Sequence, residues 1–423
     1  MRILLLRSSI VLSVLSLVLV LPARAQRTGP PCTLSAGVLR DVRLKDGQSG
    51  IVFPIAMSAR PDSLLVLGVA GLVYDTATGP RSTRPDSMLA GFLLTDHRRS
   101  VTPVLTPAGM PAARYYRTRA TSEGWDVVFF LSEHDTVPGG RSFDDGTFWY
   151  GRLIGGRWTG LERVGRVQNA TVMRPNSSGL ISSDGKLHFA VYFGEPRTAG
   201  GVLLWHRERA GSWRSDTLRL NWGPLSVTSS PEEAPLARAT FYPVVGLITD
   251  SDLDSGSLLS VDASEPTKWR VLRRARFESM NEPIEHLIDE VLHVSWWEFA
   301  QDGPPALWYQ ALDPRRENPA EQRHLVARPV NEFIFLAVPE GPRKRLVWIY
   351  RPAGTIDTAE VAVVANGEPM VIGRVPFPFG FQTSGVASGD RSFIIATTPR
   401  PTQGPGPSAS RTLEVRVNCR GDT

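Results

Sequence analysis

Arginine and tyrosine side chains adjoin in one short phrase, Arg114-Tyr115-Tyr116-Arg117. Guanidinium groups bind carboxylates through paired hydrogen bonds, and a phenol adds a further donor. We expect this phrase to form the innermost strand of a sheet, where Arg114 or Arg117 could meet a ligand together with a Tyr. We favour the alternative, that one set of alternate side chains packs between sheets and the other is solvated, because ligand sites are few per protein.

The phrase Trp296-Trp297-Glu298 combines two aromatic rings with a carboxylate. Such a set could stack against a sugar and hold it with an acid. The more frequent arrangement places the two rings on opposite faces of a strand, inside the core. Both interpretations remain open from the sequence.

Three carboxylates at alternate positions, Asp250, Asp252 and Asp254, have the spacing that begins a calcium-binding loop. The match is incomplete, because Gly256 falls at the seventh position instead of the sixth and no acid falls at the twelfth. Acidic turns are also common between strands. We therefore predict no metal site and no cofactor, and leave calcium as the alternative.

No motif of a common enzyme class is present in the sequence. His-Glu-x-x-His, Gly-x-Ser-x-Gly, the Walker A loop and Gly-x-Gly-x-x-Gly are all missing. The seven His are scattered, and His188 and His293 occupy corresponding positions of the repeat described below, which indicates a role in the fold. The catalytic residues, if there are any, are unknown from the sequence.

The elements that carry these residues are strands. Among 423 residues, 38 Gly and 34 Pro favour many turns, and short alternating or apolar runs recur without a helical stripe. The clearest unit is Asp184 to Leu220, which predicts three strands joined by tight turns. The turn-then-Trp feature within it recurs, so that Trp158, Trp213 and Trp269 are separated by 55 and 56 residues. The sequence therefore predicts an all-β repeat protein.

Two further features have the same period. Trp149 and Trp205 are 56 residues apart, and the phrase at 187–192 reappears 105 residues later, at 292–297. The period divides the chain into four-stranded units at about 51–109, 111–168, 178–220, 225–277, 280–328 and 330–376, with three strands left at 380–418. A radial array of four-stranded antiparallel sheets is a β-propeller. We predict a single propeller domain spanning 26–423, with seven blades favoured and six possible.

The two cysteines, Cys32 and Cys419, lie near the two ends of this domain. An even count in an exported chain favours a disulfide over two unrelated thiols. The bridge would fit a ring that is closed by mixing terminal strands. In that arrangement a strand at about 33–44 completes the last blade and brings the two cysteines together.

Two phrases are similar to those of sialidase-like, Asp-box propellers of bacteria. Asp184-Gly185-Lys186-Leu187-His188-Phe189 resembles the second-strand phrase of such blades, and Ser142 to Trp149 resembles the Asp box itself, except that Phe148 replaces Thr and the segment precedes the third strand. The resemblance implies blade architecture, because an Asp box is a structural turn.

A sialidase would need three arginines for the substrate carboxylate, a Tyr nucleophile with its Glu, and an acidic Asp. The family's early Phe-Arg-Ile-Pro phrase is absent, since Val52-Phe53-Pro54-Ile55 lacks the Arg. The resemblance therefore does not extend to catalysis.

The first 25 residues are predicted to be a signal peptide. Arg2 and Arg7 precede an apolar run at 10–21, and Ala23-Arg24-Ala25 fits the cleavage rule, which gives a mature start at Gln26. The alternative is an uncleaved anchor. We expect an exported protein, periplasmic or secreted, with no transmembrane segment after cleavage.

Charge limits the partners of the mature chain. Without the three Arg of the signal peptide, 44 basic residues face 42 acidic ones, which does not favour nucleic acid.

We expect a monomer that serves as a binding or scaffold module, with an unidentified ligand, a glycan or a protein, at a channel mouth. The alternative is a glycoside hydrolase or lyase acting on extracellular glycans, with two carboxylates in one cleft.

Overall fold

The computed structural model describes part of the chain, and all statements below concern that part. It comprises residues 32–42, 52–70, 73–75, 79–81, 89–95, 99–111, 113, 115–133, 143–171, 181–183, 186–193, 200–208, 211–220, 224–229, 241–242, 244–249, 255–262, 265–276, 281–289, 291–298, 304–312, 323–365, 367–377, 382–398 and 410–419.

The regular elements in these ranges are β-strands. Two strands come first, β1 (Cys32–Ala36) and β2 (Arg40–Asp41). They are followed by one four-stranded antiparallel sheet with a small hairpin inserted between its second and third strands. The strands of this sheet and hairpin are β3 (Val52–Ala59), β4 (Leu64–Ala70), β5 (Val73–Asp75), β6 (Gly79–Arg81), β7 (Leu89–Thr95) and β8 (Ser100–Leu105).

The next eight strands form one sheet that consists of two meanders. Only two residue pairs, Ala170 with Phe193 and Thr171 with Tyr192, join the meanders in this sheet. The first meander contains β9 (Tyr115–Ala120), β10 (Trp125–Ser132), β11 (Phe143–Ile154) and β12 (Arg157–Thr171). The second contains β13 (Ile181–Ser183), β14 (Lys186–Phe193), β15 (Gly200–Arg207) and β16 (Trp213–Leu220).

Three more sheets follow in chain order. Five strands make the first of them: β17 (Pro224–Ser229), β18 (Phe241–Tyr242), β19 (Val244–Thr249), β20 (Ser255–Asp262) and β21 (Glu265–Arg276). Four make the second: β22 (Asn281–Ile288), β23 (Val291–Glu298), β24 (Ala306–Leu312) and β25 (His324–Ala327). Four make the third: β26 (Val330–Glu340), β27 (Arg343–Pro352), β28 (Thr358–Ala365) and β29 (Glu368–Pro376).

The last sheet combines the two ends of the chain, and we call it the closing sheet. It contains β30 (Gln382–Gly389), β31 (Ser392–Thr398) and β32 (Arg411–Cys419), and β1 and β2 both pair with β32. Cys32 lies opposite Cys419 in this ladder, and the two form a disulfide with a Cα–Cα distance of 3.9 Å. The predicted bridge is therefore present, and the predicted strand at 33–44 is divided into β1 and β2.

Alternation along each strand packs the sheets face to face. In β27, Trp348 and Tyr350 are buried against the β22–β25 sheet, whereas Val347 and Ile349 are buried against the closing sheet. A sheet covered on both faces needs apolar residues at successive positions, and the run of Leu346 to Tyr350 provides them.

The packing continues across the two ends of the chain. Ile394 of the closing sheet is buried in one cluster with Val66 and Phe92 of the β3–β8 sheet. Phe393, the residue before Ile394, faces the β26–β29 sheet. Meanders of antiparallel strands that pack in chain order, with the last against the first, make a β-propeller. None of the described residues belongs to a helix with the length and hydropathy of a membrane span.

Candidate functional site

The described part of the Arg-Tyr phrase belongs to sheet packing. Tyr116 on β9 is 2% exposed, and its ring centroid lies 6.4 Å from that of Phe129. Burial raises the pKa of Tyr116 above its usual value. Arg117 is also buried, while Arg114 and the side chain of Tyr115 lie outside the described residues. Tyr116 therefore packs between sheets, which is the alternative that we favoured from the sequence.

A charged cluster surrounds Asp126, near the start of β10. The Asp126 side chain is 6% exposed, and the Tyr150 hydroxyl donates a hydrogen bond of 2.8 Å to its Oδ1. Arg152 Nε lies 3.5 Å from the same oxygen, and Arg119 Nη1 lies 4.0 Å from Oδ2. Burial, and then the bond to Asp126, raises the pKa of Tyr150 to about 12. At neutral pH Tyr150 is therefore a protonated donor and not an activated nucleophile.

A second ion pair extends this cluster into the next meander. Arg207 on β15 donates to the Glu162 carboxylate from Nε at 3.0 Å and from Nη2 at 2.7 Å. The Arg207 guanidinium carbon also lies 5.1 Å from the centre of the Tyr150 ring. The cluster contains residue types that the sialidase resemblance requires, but its arginines face carboxylates of the chain itself. Its geometry is that of a link between the two meanders of this sheet.

Trp296 and Trp297 lie on opposite faces of β23. Trp296 is fully buried, and Trp297 packs into the interface with the β26–β29 sheet, 5.4 Å from Phe333 between ring centroids. The structural interpretation of this pair is confirmed. Neither ring is an exposed platform for a sugar.

Glu298 nevertheless belongs to a small aromatic and charged group, which we call the Trp308 group. Arg323 Nη2 lies 2.9 Å from Glu298 Oε2, and its guanidinium carbon lies 3.5 Å from the centre of the Trp308 ring. The Arg323 side chain is 28% exposed and that of Glu298 24% exposed. No sequence pattern pointed to Trp308 or Arg323, although Trp308 is opposite Trp296 in the ladder.

Further ion pairs lie near the ends of β26 to β29. Arg351 Nη2 lies 3.5 Å from Glu332 Oε1. On the other face, the Tyr350 hydroxyl donates to Glu360 Oε2 at 2.9 Å, and Arg374 donates to Glu360 Oε1 from Nε at 2.9 Å and from Nη2 at 2.6 Å. Each of these carboxylates is thus already held by an arginine.

The two edges of the sheets differ in their connections. In an antiparallel meander, the first-to-second and third-to-fourth connections share one edge, which we call the short-turn edge. Tight turns occupy it at 60–63, 121–124, 155–156, 208–212, 341–342 and 390–391. The opposite edge, the long-connection edge, carries the second-to-third connections and those between sheets. Several of them are longer, as at 71–88, 133–142, 172–180 and 399–410.

The short-turn edge also carries two longer connections, at 230–240 and 313–322. The Trp308 group lies towards the long-connection edge, because Glu298 is the last residue of β23 and Trp308 is near the start of β24. The Asp126 cluster lies at the short-turn edge, where Asp126 adjoins the turn at 121–124.

Other predicted residues contribute no described site. The segment 143–149, part of the phrase that resembles an Asp box, lies within strand β11 and is not a turn. Asp250, Asp252, Asp254 and the side chain of His188 lie outside the described residues. Within the described ranges, no three His, Cys, Asp or Glu side chains come together as metal ligands would.

Comparison with known proteins concerns the fold. No protein-family model and no curated protein matches the chain. A solved structure of unknown function from Dyadobacter fermentans is 8% identical, with a TM-score of 0.50, and the match covers 91% of this chain and 99% of that one.

Two solved structures, a sialidase and a neuraminidase-like protein, are more distant in shape. A Trypanosoma rangeli sialidase is 11% identical with a TM-score of 0.46, and the match covers 85% of this chain and 59% of that one. A neuraminidase-like protein from a Guatemalan bat isolate is 10% identical with a TM-score of 0.43, covering 80% and 92%. At these identities the likeness does not extend to activity.

Proposed function

We propose that this chain is an exported β-propeller that binds a glycan or a protein at its long-connection edge. The observation that carries the proposal is the difference between the two edges. A rigid ring of sheets positions variable loops, and sites are built preferentially on such loops. The near balance of charge in the mature chain supports a partner other than nucleic acid.

The proposal includes a ring of seven blades in one domain, residues 26–423, acting as a monomer. The β9–β12 and β13–β16 meanders count as separate blades, and the closing sheet counts as the seventh. The signal peptide at 1–25 lies outside the described residues. The disulfide supports export, because such bonds persist in oxidising compartments.

Binding is favoured over catalysis by the pairing of the charged groups. Glu298, Glu332 and Glu360 each face an arginine of the chain, so none is a lone carboxylate in a cleft. A glycoside hydrolase needs two carboxyl groups about 5 to 9.5 Å apart across a substrate site. A hydrolase acting on extracellular glycans remains the second candidate, and activity should be measured alongside binding.

The test uses the mature chain, 26–423, on an array of sialylated, acidic and neutral glycans, together with release of a fluorogenic sialoside and a fluorogenic neutral glycoside. We expect no turnover of either substrate. If a glycan binds, Arg323→Ala and Trp308→Ala should weaken it, whereas Arg214→Ala, an exposed change on β16, should not. Turnover that survives repurification would contradict the binding proposal in favour of the hydrolase. Absence of glycan binding would leave a protein ligand, testable by cross-linking to the intact cell envelope.

A further inference from the structure

Two histidines face each other inside one sheet interface. His286 on β22 and His293 on β23 are directly opposite in the ladder. Both project into the packing between the β22–β25 sheet and the β26–β29 sheet, where His286 is 6% exposed. Neither residue has a part in the proposed binding function.

Each ring has a defined partner in this interface. His286 Nε2 lies 3.0 Å from the carbonyl oxygen of Phe335. Because a carbonyl only accepts, Nε2 carries a proton and donates. His293 Nδ1 lies 2.8 Å from the Tyr309 hydroxyl, and the two rings are parallel within 3°. The bonds connect β22 to β26 across the interface and β23 to β24 within one sheet.

The surroundings do not stabilise positive charge. The cluster around the two rings is aromatic and apolar, and includes Phe335 and Trp348. The titratable groups of this cluster are Tyr309 on β24, His324 on β25 and Tyr350 on β27, whose hydroxyl bonds to Glu360 on β28. Alternation along β27 places Lys344 on the same face as Tyr350. Asp289, three residues from His286, lies in the exposed turn of the hairpin.

Burial, and then the charge on neighbouring His286, lowers the pKa of His293 to about 4. In an opened interface the same group takes up a proton near its usual value of about 6.5. Since the folded value is depressed, the packed state binds fewer protons than the open state between these values. The interface therefore loses stability as the pH falls from about 6.5 towards 4, and loses no more below that range.

We infer that His286 and His293 make the joint between these two sheets acid-sensitive, so that mild acid opens it locally while the rest of the ring stays packed. The closing sheet keeps its disulfide and its contacts with the β3–β8 sheet, which contain no member of this pair. Local opening is possible because regions of one fold can differ in their opening free energy.

Hydrogen exchange followed by mass spectrometry tests the inference. The wild type and His293→Gln, which cannot take up this proton, are compared at the same pH so that intrinsic exchange rates cancel. Relative to pH 7, the opening constant of the wild type at pH 5 should rise on the order of 20-fold over that of the variant in peptides from 281–298 and 330–340. Exchange in peptides from 392–398 and 411–419 should not differ between the wild type and the variant.

Two further variants keep the test decisive. His206→Gln changes a half-buried histidine that lies beside Glu208 and Asp216, and should leave the acid response intact. His286→Gln removes the neighbouring charge and should reduce the response, which matters if His293→Gln does not fold. Equal exchange ratios at pH 5 and pH 7, or an equal effect of His206→Gln, would overturn the inference.

Discussion

Asp126 illustrates how single residues carry charge inside this fold. Its carboxylate is nearly inaccessible, and it is compensated by the Tyr150 hydroxyl and by two nearby guanidinium groups. A buried carboxylate without such partners would be strongly destabilising. The cluster therefore has a structural reason to exist, and its residue types need no catalytic explanation.

Tyr150→Phe should lower the free energy of unfolding by about 1–3 kcal/mol, because it leaves the buried Asp126 without its short hydrogen bond. Urea unfolding followed by tryptophan fluorescence measures the change. Arg166→Gln is the control, since it breaks a solvent-exposed pair with Glu133 and should leave stability unchanged. An unchanged midpoint for Tyr150→Phe would mean that the hydrogen bond contributes nothing.

The charged and aromatic groups of the fold could be predicted only in part from the sequence. The sequence WDVVFFLS places one acid inside an apolar strand, and this signal could have identified Asp126. The partners of that acid, by contrast, come from β9 and β11, and pairing between strands is not encoded by local spacing. For the same reason Trp308 and Arg323 were missed, although Glu298 was singled out.

The strand is the element that organises the packing. Trp158 is the second residue of β12 and packs against the cluster between the β3–β8 sheet and its own meander. Trp213 is the first residue of β16 and packs against the cluster between the β9–β12 and β13–β16 meanders. Trp269 lies in the fourth strand β21, opposite Val261. The three residues lie in the fourth strands of successive units, opposite Leu153, Arg207 and Val261, so the 55-residue spacing agrees with the observed strand order.

Strand boundaries were the most predictable feature. The unit expected at 330–376 coincides with β26 to β29, and other boundaries differ by only a few residues. Alternation and turn residues are local signals, which explains this success. The joining of β12 to β14 was not predicted, because it depends on how far two strands extend beyond their turns.

Gly165 lies where two strands pack too closely for a larger side chain. A Cβ built on Gly165 of β12 would lie 2.2 Å from Cη2 of Trp205 on β15. Gly165→Ala should therefore destabilise the protein by about 1–3 kcal/mol through overpacking. Thermal unfolding of four proteins, the wild type, Gly165→Ala, Trp205→Phe and the double variant, measures the coupling. The smaller Phe ring should reduce the cost of the added methyl group, and strictly additive effects would contradict the contact.

In the whole molecule, the two chain ends meet in the closing sheet. The Cys32–Cys419 bond joins residues 387 apart in sequence, and β1 pairs with β32 beside it. The pairing of the chain ends could be predicted because three strands remained after the repeats were counted. No ligand could be predicted from the sequence, and much of the long-connection edge lies outside the described residues.

Removal of the bridge should weaken the whole ring. We expect the Cys32→Ser, Cys419→Ser double variant to lose about 2–5 kcal/mol of unfolding free energy. Urea unfolding with and without dithiothreitol measures this. Wild type in reductant should match the variant, and the variant itself should not respond to reductant. If reductant leaves the unfolding free energy of the wild type unchanged, strand pairing alone holds the chain ends together.

We propose that the N-terminal strand, by completing the last sheet, closes the propeller. Mass spectrometry of a non-reduced digest of the exported protein tests whether the two ends are joined. We expect one linked peptide pair that contains Cys32 and Cys419, and no alkylation of either residue before reduction. Two freely alkylated cysteines in the folded, exported protein would contradict it.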